Sequence, residues 1–263
     1  MGDLGFDTLA ALAAISLLAG FVDAIAGGGG LLTVPALILA GLDPAQAIAT
    51  NKVQGSVAAA SATWTFWRKG MIDWKSAWRF TLMAFLSGIA GALCVRFLPR
   101  AVLDLLIPVL LIVIAIYFAL SRKLQDADAA ARMTALTFGL TAPVAIGFYD
   151  GIFGPGAGSF YMLAFVTLHG YGVVRATAHT KLLNFASNFG SLLLYAATGA
   201  VVWPLGLVMA GASLIGAQLG SRMALRFGVR IIRPLLVAVS SLMALRLLLD
   251  PANPWRRALA TLF

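Results

Sequence analysis

Two lysines stand out because each lies inside a long apolar segment: Lys52 in "ATNK" and Lys181 in "AHTK". A charged side chain at the middle of a bilayer costs about 2.5–3.5 kcal/mol on insertion scales, so such residues normally face a cavity or a partner. The lysine ammonium is compact and carries three hydrogen-bond donors, which suits a small oxyanion. Both lysines are therefore candidate ligands of an anion.

Two aspartates offer a second role for these lysines. Asp23 and Asp150 stand upstream of Lys52 and Lys181 at equivalent places, so each lysine could form a structural ion pair with an aspartate. Such pairs would neutralise the charge without explaining the glycine-rich stretches nearby. The two roles can also coexist, with the aspartates releasing the lysines or carrying a coupling proton, and the sequence leaves both open.

Polar neighbours of the lysines extend the candidate site. Asn51 and Thr180 directly precede the lysines, and Asn184 lies about one turn beyond Lys181 on much the same helix face. These three side chains are candidate hydrogen-bond partners of the anion. His179 is a candidate for proton coupling because imidazole titrates near neutral pH, although a role in helix packing or in the pore wall competes.

Two glycine-rich stretches, residues 27–30 and 154–158, interrupt apolar segments. Irregular backbone at membrane depth is tolerated only where it packs against protein or lines a water-filled cavity. A helix break exposes N–H groups at the start of the next helix, and these form an anion site together with the helix dipole. Close helix packing through small residues is the alternative. The candidate anion ligands are Gly28, Gly29, Gly30, Gly156 and Gly158.

The sequence predicts no metal site, no cofactor and no enzymatic activity. His169, His179 and the single Cys94 do not assemble a convincing metal-binding set. The glycines are not followed by the Gly-Lys-Ser/Thr of a P-loop, and no βαβ pattern supports a dinucleotide site. We find no Ser–His pair at a useful spacing for catalysis.

The composition predicts an all-α polytopic membrane protein. Hydrophobic residues make up 61% of the 263 residues and charged residues only 11%, whereas about a quarter of an average soluble domain is charged. Several runs approach the roughly 20 apolar residues that cross a bilayer as a helix. The net charge of +9 does not indicate nucleic acid, because lysine and arginine cluster in short links, as the positive-inside rule expects.

The chain contains an internal repeat. "GFVDAIAGGG" (20–29) matches "GFYDGIFGPG" (147–156), and "ATNK" then falls on "AHTK". Each half holds five apolar segments, about four full transmembrane helices and one short segment after the glycine-rich break. The predicted segments are 4–26, 31–42, 45–67, 75–98 and 101–120, then 134–154, 158–170, 173–198, 203–227 and 230–250. The first repeat therefore spans residues 1–120 and the second 134–250, with a polar link at 121–133 and a C-terminal tail at 251–263.

Charges at equivalent links predict that the two repeats are inverted. Arg68, Lys69, Lys75 and Arg79 surround the link after the third segment, whereas its counterpart near residues 199–203 carries no charge. Opposite bias at equivalent links is what inverted repeats produce under the positive-inside rule. This places residues 121–133 inside and both termini outside. Re-entrant short segments would make the number of crossings even and remain the alternative.

The glycine-rich breaks and the lysine motifs together resemble the TauE/SafE sulfite-exporter family, also called the toluene-sulfonate uptake permease family. The resemblance covers nearly the whole chain, since "GFVDAIAGGGGLLTVP" and "ATNK" both have counterparts in the second half. It implies a multi-pass carrier of the bacterial inner membrane that moves sulfite, sulfonates or related anions. The second half departs from the first, with "GPGAG" for "GGGG" and "HTK" for "TNK", so the halves are expected to contact substrate unequally.

The sequence thus predicts a secondary transporter, an exporter by the resemblance, that binds a small sulfur-containing oxyanion near the bilayer midplane. Inverted-repeat transporters hold their substrate there and expose it alternately to the two sides. An anion channel, or a permease for another small organic anion, is the alternative. A homodimer is a candidate assembly, because the aromatic run "ATWTFW" (62–67) would suit a dimer contact as well as lipid.

Overall fold

The computed structural model describes residues 5–94 and 127–249, together with Ile116 and Leu120. The described residues form α-helices joined by short links. The helices are α1 (Phe6–Ala26), α2 (Gly30–Leu39), α3 (Pro44–Arg68), α4 (Trp74–Cys94), α5 (Ala135–Ile152), α6 (Ala157–Thr167), α7 (Val173–Ala197), α8 (Trp203–Phe227) and α9 (Val229–Leu249).

The observed helices follow the predicted apolar segments closely. Helices α2 and α6 are the two short segments, with 10 and 11 residues, and each starts directly after a glycine-rich break. The predicted segment 101–120 lies outside the described residues except for Ile116 and Leu120. The tail at 251–263 and the first part of the link at 121–133 also lie outside them.

Four helices of the described ranges are long and apolar enough to cross a membrane: α1, α4, α5 and α8. Helices α3 and α7 have 25 residues each but carry the polar motifs that contain Lys52 and Lys181. The described residues contain no strand. The protein is therefore an all-α polytopic membrane protein, as the composition predicts.

Local sequence sets where several of these helices begin and end. The Asp43 side chain accepts hydrogen bonds from the N–H groups of Ala45 and Gln46, and Pro44 occupies the first turn of α3. Thr134 caps α5 in a similar way. Helix α1 ends at Gly27, whose φ of 81° is readily adopted only by glycine.

Pairs of helices pack closely through glycine. Helix α1 lies against α8 and α4 lies against α5, while α3 contacts both α7 and α8. In the first pair, a β-carbon added at Gly216 would lie 2.0 Å from the carbonyl oxygen of Leu17. In the second pair, a β-carbon at Gly91 would lie 2.0 Å from the carbonyl oxygen of Phe148. Such contacts hold helix backbones together where apolar side chains gain nothing by leaving lipid.

The described part of the polar link is hydrogen-bonded to the start of α7 through Asp128. Asp128 accepts hydrogen bonds from the Gly172 N–H, at 2.8 Å, and from the Arg175 guanidinium. Burial would raise the pKa of the Asp128 carboxyl, but the Gly172 N–H and the Arg175 charge outweigh burial and hold that pKa below its usual value. The link is thereby joined to the helix that carries Lys181.

The α4–α5 contact predicts a large difference between two glycine substitutions. Gly91→Ala places a methyl group against the Phe148 backbone, which cannot rotate away, so we expect destabilisation of about 1–3 kcal/mol or more. Gly211→Ala, in the interior of α8, meets nothing within 4 Å and should be neutral or stabilising by about 0.5–1 kcal/mol. Thermal unfolding of the purified protein in detergent checks this. Equal melting temperatures for the two variants would contradict the described contact.

Candidate functional site

Two buried ion pairs of the described residues cross between the halves of the chain. The Lys52 Nζ on α3 lies 2.8 Å from the Asp150 Oδ1 on α5 and also donates to the main-chain carbonyl of Asp150. The Lys181 Nζ on α7 lies 3.6 Å from the Asp23 Oδ2 on α1 and donates to the main-chain carbonyl of Asp23. Both lysine side chains are 0% exposed. Each lysine thus pairs with the aspartate of the opposite half.

Asp150 is held on both carboxylate oxygens. Oδ1 receives Lys52, and Oδ2 accepts hydrogen bonds from the Ser187 hydroxyl and from the Asn188 Nδ2, the latter at 2.9 Å. The residue is only 1% exposed. A buried carboxylate with this many donors is well compensated, because hydrogen bonds from charged and neutral donors offset the loss of water.

Asp23 is held less completely. Its Oδ1 accepts a 3.0 Å hydrogen bond from the Gly29 N–H, at the start of α2. Its Oδ2 faces Lys181 at 3.6 Å, which is beyond ordinary hydrogen-bond distance. Asp23 is 8% exposed, compared with 1% for Asp150. The two ion pairs occupy equivalent places in the sequence repeat but differ in how firmly they bind their carboxylates.

The two helix breaks meet at the centre of the molecule. Gly27 directly follows α1 with φ of 81°, and Gly154 lies two residues beyond the end of α5 with φ of 94°. Gly156 has φ of 87°. A β-carbon added at Gly27 would lie 2.6 Å from the carbonyl carbon of Gly158, so the backbones of the two breaks are in contact. The Ser159 hydroxyl donates to the Ala26 carbonyl at 3.1 Å. The N-termini of α2 and α6 are therefore close together.

A small cavity lies between the breaks. Its volume is about 20 Å³, which is room for roughly one water molecule. Most of the first N–H groups of α2 and α6 donate to carbonyls of the two breaks, whereas those of Gly30 and Gly158, which line the cavity, have no hydrogen-bond partner among the described residues. The cavity is lined by Asp23, Gly28, Gly29, Gly30, Asn51, Gln54, Gly55, Asp150, Gly154, Gly156, Ala157, Gly158, Asn184 and Asn188.

Amide side chains form the rest of the cavity wall and are held by neighbours. The Thr33 Oγ1 lies 2.5 Å from the Asn51 Oδ1 and 3.5 Å from the Gln54 Oε1. On the opposite side, the Asn188 Nδ2 donates to the Asn184 Oδ1 at 3.1 Å as well as to Asp150. The wall therefore consists of amides, backbone N–H groups and two carboxylates.

The structure brings most of the predicted site residues together. The predicted glycines line the cavity, and so do Asn51, Asn184, Asp23 and Asp150. Lys52 and Lys181 are not among the residues that line the cavity but pair with Asp150 and Asp23, which are.

Thr180 and His179 are also not among the residues that line the cavity. The His179 Nδ1 lies 2.9 Å from the Arg175 carbonyl oxygen, and its ring packs edge-on against Tyr171. The described residues contain no group of three or more histidine, cysteine, aspartate or glutamate side chains that could hold a metal ion.

Several residues of the site were not identified from the sequence. Gln54 and Gly55 line the cavity, and Thr33 and Ser187 hold residues that line it. The spacing of Gln54 and Gly55 was a usable signal, since residues three and four positions after Asn51 share its helix face. Thr33 and Ser187 had no such signal, because isolated hydroxyls are common in membrane helices.

Gly154 offers a test of the Lys52–Asp150 pair. A β-carbon at Gly154 would lie 2.7 Å from the Lys52 Nζ and 3.0 Å from the Asp150 Oδ1, at a φ of 94°. Gly41 has a φ of 97° but nothing within 4 Å, so Gly41→Ala reports the backbone strain alone, about 1–2 kcal/mol. Gly154→Ala adds the displacement of a buried ion pair and should lower the melting temperature clearly more. Equal shifts for the two variants would mean that Gly154 does not confine this pair.

Comparison with known proteins identifies the family of the chain. The family model "Sulfite exporter TauE/SafE" matches residues 12–247. A probable membrane transporter protein, ORF9, of Sinorhizobium sp is 48% identical over 256 residues, covering 97% of this chain and 98% of the relative. The probable membrane transporter protein YfcA of Escherichia coli K12 is 48% identical over 236 residues, covering 90% of this chain and 88% of the relative.

A probable membrane transporter protein of Haemophilus influenzae is 41% identical over 248 residues, covering 94% of this chain and 97% of the relative. No solved structure matches the chain. The match to the family model extends over both helix breaks, both lysines and both aspartates of the site. The chain belongs to the TauE/SafE sulfite exporter family.

Proposed function

We propose that the protein is a secondary transporter of small sulfur-containing oxyanions, such as sulfite or organosulfonates, in the inner membrane of a bacterium. The observation that carries the proposal is the small cavity enclosed by two helix breaks and backed by two buried lysines. The family description supports the sulfur oxyanion, and the printed names of the relatives support a membrane transporter.

The anion is held first by neutral donors. Backbone N–H groups at the starts of α2 and α6 direct their dipoles into the cavity, and the Asn51 and Asn184 amides lie in its wall. A pyramidal sulfite or a sulfonate group carries three oxygens, which suits several short donors arriving from different helices. Lys52 and Lys181 offset the charges of Asp150 and Asp23, so that the two carboxylates near the cavity do not simply repel the anion.

A carrier fits this cavity better than a channel does. At about 20 Å³ the cavity is too small for a sulfite ion, so it must widen to admit substrate. A channel needs a continuous opening, whereas a carrier that works by alternating access needs a site that changes shape during the cycle. Saturation of flux with substrate concentration distinguishes the carrier from the channel, which remains the alternative together with a permease for another small organic anion.

We further propose that the halves 1–120 and 134–250 are inverted repeats that rock against one another. The packing of α1 on α8 has its repeat equivalent in the packing of α5 on α4. In both contacts the first long helix of one half lies against the fourth segment of the other half. These two equivalent contacts would provide surfaces along which the halves move.

The proposal predicts that Lys181→Gln strongly lowers saturable sulfite flux in proteoliposomes. Losing a charge-assisted interaction costs about 1.5–3 kcal/mol, which corresponds to roughly 10–100-fold in flux at low substrate concentration. Lys75→Gln is the matched control, because Lys75 is exposed near the start of α4 and should transport as wild type. Flux is measured with labelled sulfite, after thermal unfolding has verified that both variants fold.

Each other outcome has a distinct meaning. Unchanged flux in folded Lys181→Gln would make the lysine a structural charge and leave the anion to the backbone donors. Flux without saturation would favour a channel. A wild-type protein that carries neither sulfite nor organosulfonates would refute the proposed substrate, and carboxylates would be tested next.

A further inference from the structure

We propose that Asp23 is the proton carrier of the transport cycle, so that one proton accompanies each monovalent anion through the site. This inference rests on the proposed function and adds to it the identity of the coupling ion. Asp150, although equivalent to Asp23 in the sequence repeat, keeps its charge throughout and serves as a fixed partner of Lys52.

The charge of the buried site requires a coupled cation. Lys52, Lys181, Asp23 and Asp150 sum to zero when all four are ionised, so an added anion would leave one uncompensated negative charge in a closed cavity. Such a charge is strongly unfavourable in a low-dielectric interior. Protonation of one aspartate restores neutrality and frees its lysine for the anion.

Geometry selects Asp23 as the aspartate that accepts the proton. Its Oδ2 has no hydrogen-bond donor within ordinary distance among the described residues, since Lys181 stands at 3.6 Å. Asp150 has the Lys52 Nζ at 2.8 Å and two further donors on Oδ2. The positions that correspond to Ser187 and Asn188 in the first half are Ala58 and Ala59, which carry no side-chain donor.

Asp23 also competes with the anion for the same donors. Its Oδ1 accepts the Gly29 N–H at the beginning of α2, and Asp23 and Gly29 both line the cavity. The ionised carboxylate thus occupies one of the backbone donors to which a substrate oxygen would bind. A protonated Asp23 releases this donor readily, because a neutral carboxyl is a much weaker acceptor than a carboxylate.

Other ionisable groups on the helices packed against α1 do not take this role. Among the described residues they include Lys52, Arg68, Arg175, His179, Arg222, Arg226, Arg230 and Arg233, together with Lys181 and the phenol of Tyr161. The arginines stay protonated, and His179 does not line the cavity. The Lys52 Nζ already forms an ion pair with the Asp150 Oδ1 at 2.8 Å.

Sodium is a poorer coupling ion for this site than a proton. Broken helices often bind Na⁺ through the carbonyl groups at their interrupted ends. Here the carbonyls of Asp23 and Asp150 accept hydrogen bonds from the Lys181 and Lys52 ammonium groups. A sodium ion at either carbonyl would therefore have to displace a buried lysine.

The test separates exchange of anion from net movement in proteoliposomes, with labelled methanesulfonate and labelled sulfite as probes. Exchange of labelled for unlabelled anion at equal pH on both sides requires only that the carrier with its bound anion change between its two orientations. Net movement also requires the empty carrier to return, with Asp23 ionised beside Lys181. Asp23→Asn should keep exchange within about twofold of wild type. It should lose accumulation driven by a pH gradient, which in wild type approaches about tenfold per pH unit.

Asp7→Asn is the matched control, because Asp7 is an exposed aspartate on the same helix and should behave as wild type. Asp150→Asn should lose both exchange and net movement, since it leaves Lys52 buried without its carboxylate. Proton-driven accumulation that survives in Asp23→Asn would overturn the proposal. So would the loss of exchange in folded Asp23→Asn, which would make Asp23 part of anion binding itself.

A second measurement on the wild-type protein applies if Asp23→Asn does not fold. One proton moving with methanesulfonate carries no net charge, so accumulation should follow an imposed pH gradient and ignore a potassium-diffusion potential. Accumulation driven by the potential, or by a sodium gradient, would overturn the proposal. If wild type carries neither probe, the proposed function fails before any variant is compared.

Discussion

The two crossed ion pairs are the constraint on which the arrangement of the central helices depends. Lys52 and Lys181 are fully buried, and a buried ammonium group must keep a carboxylate and further acceptors close by. Each lysine also binds the main-chain carbonyl of its aspartate, just before the helix is interrupted by glycine. Helices α1 and α5 must therefore end beside α7 and α3, which brings the two breaks into contact and encloses the cavity.

Much of the fold was predictable from the sequence because hydropathy dominates the folding of a membrane protein. The short lengths of α2 and α6 were predictable from the glycines, because each glycine-rich break leaves only a short apolar segment before the next link. Asp23 and Asp150 could be named as possible partners of the lysines, but which aspartate meets which lysine was not predictable. Asp23 and Asp150 are chemically identical, and only the packing of helices distant in sequence decides that Lys52 meets Asp150.

The location of the site was easier to predict from the sequence than which of its residues line the cavity and which lie behind them. Asn51 and Asn184 were identified because they neighbour the lysines, and both line the cavity. The lysines themselves lie behind the aspartates, which no spacing rule reveals. The difference between the two aspartates depends on Ser187 and Asn188, whose significance appears only when α5 is seen beside α7.

The crossing of the pairs also bears on how the chain is made. The first half enters the membrane with Asp23 and Lys52 before the ribosome has produced Asp150 and Lys181. During that interval neither residue has its final partner, although the two opposite charges belong to the same half and can neutralise each other. Neither residue can take its final partner until the second half is present, so the central site forms only when both halves have been made.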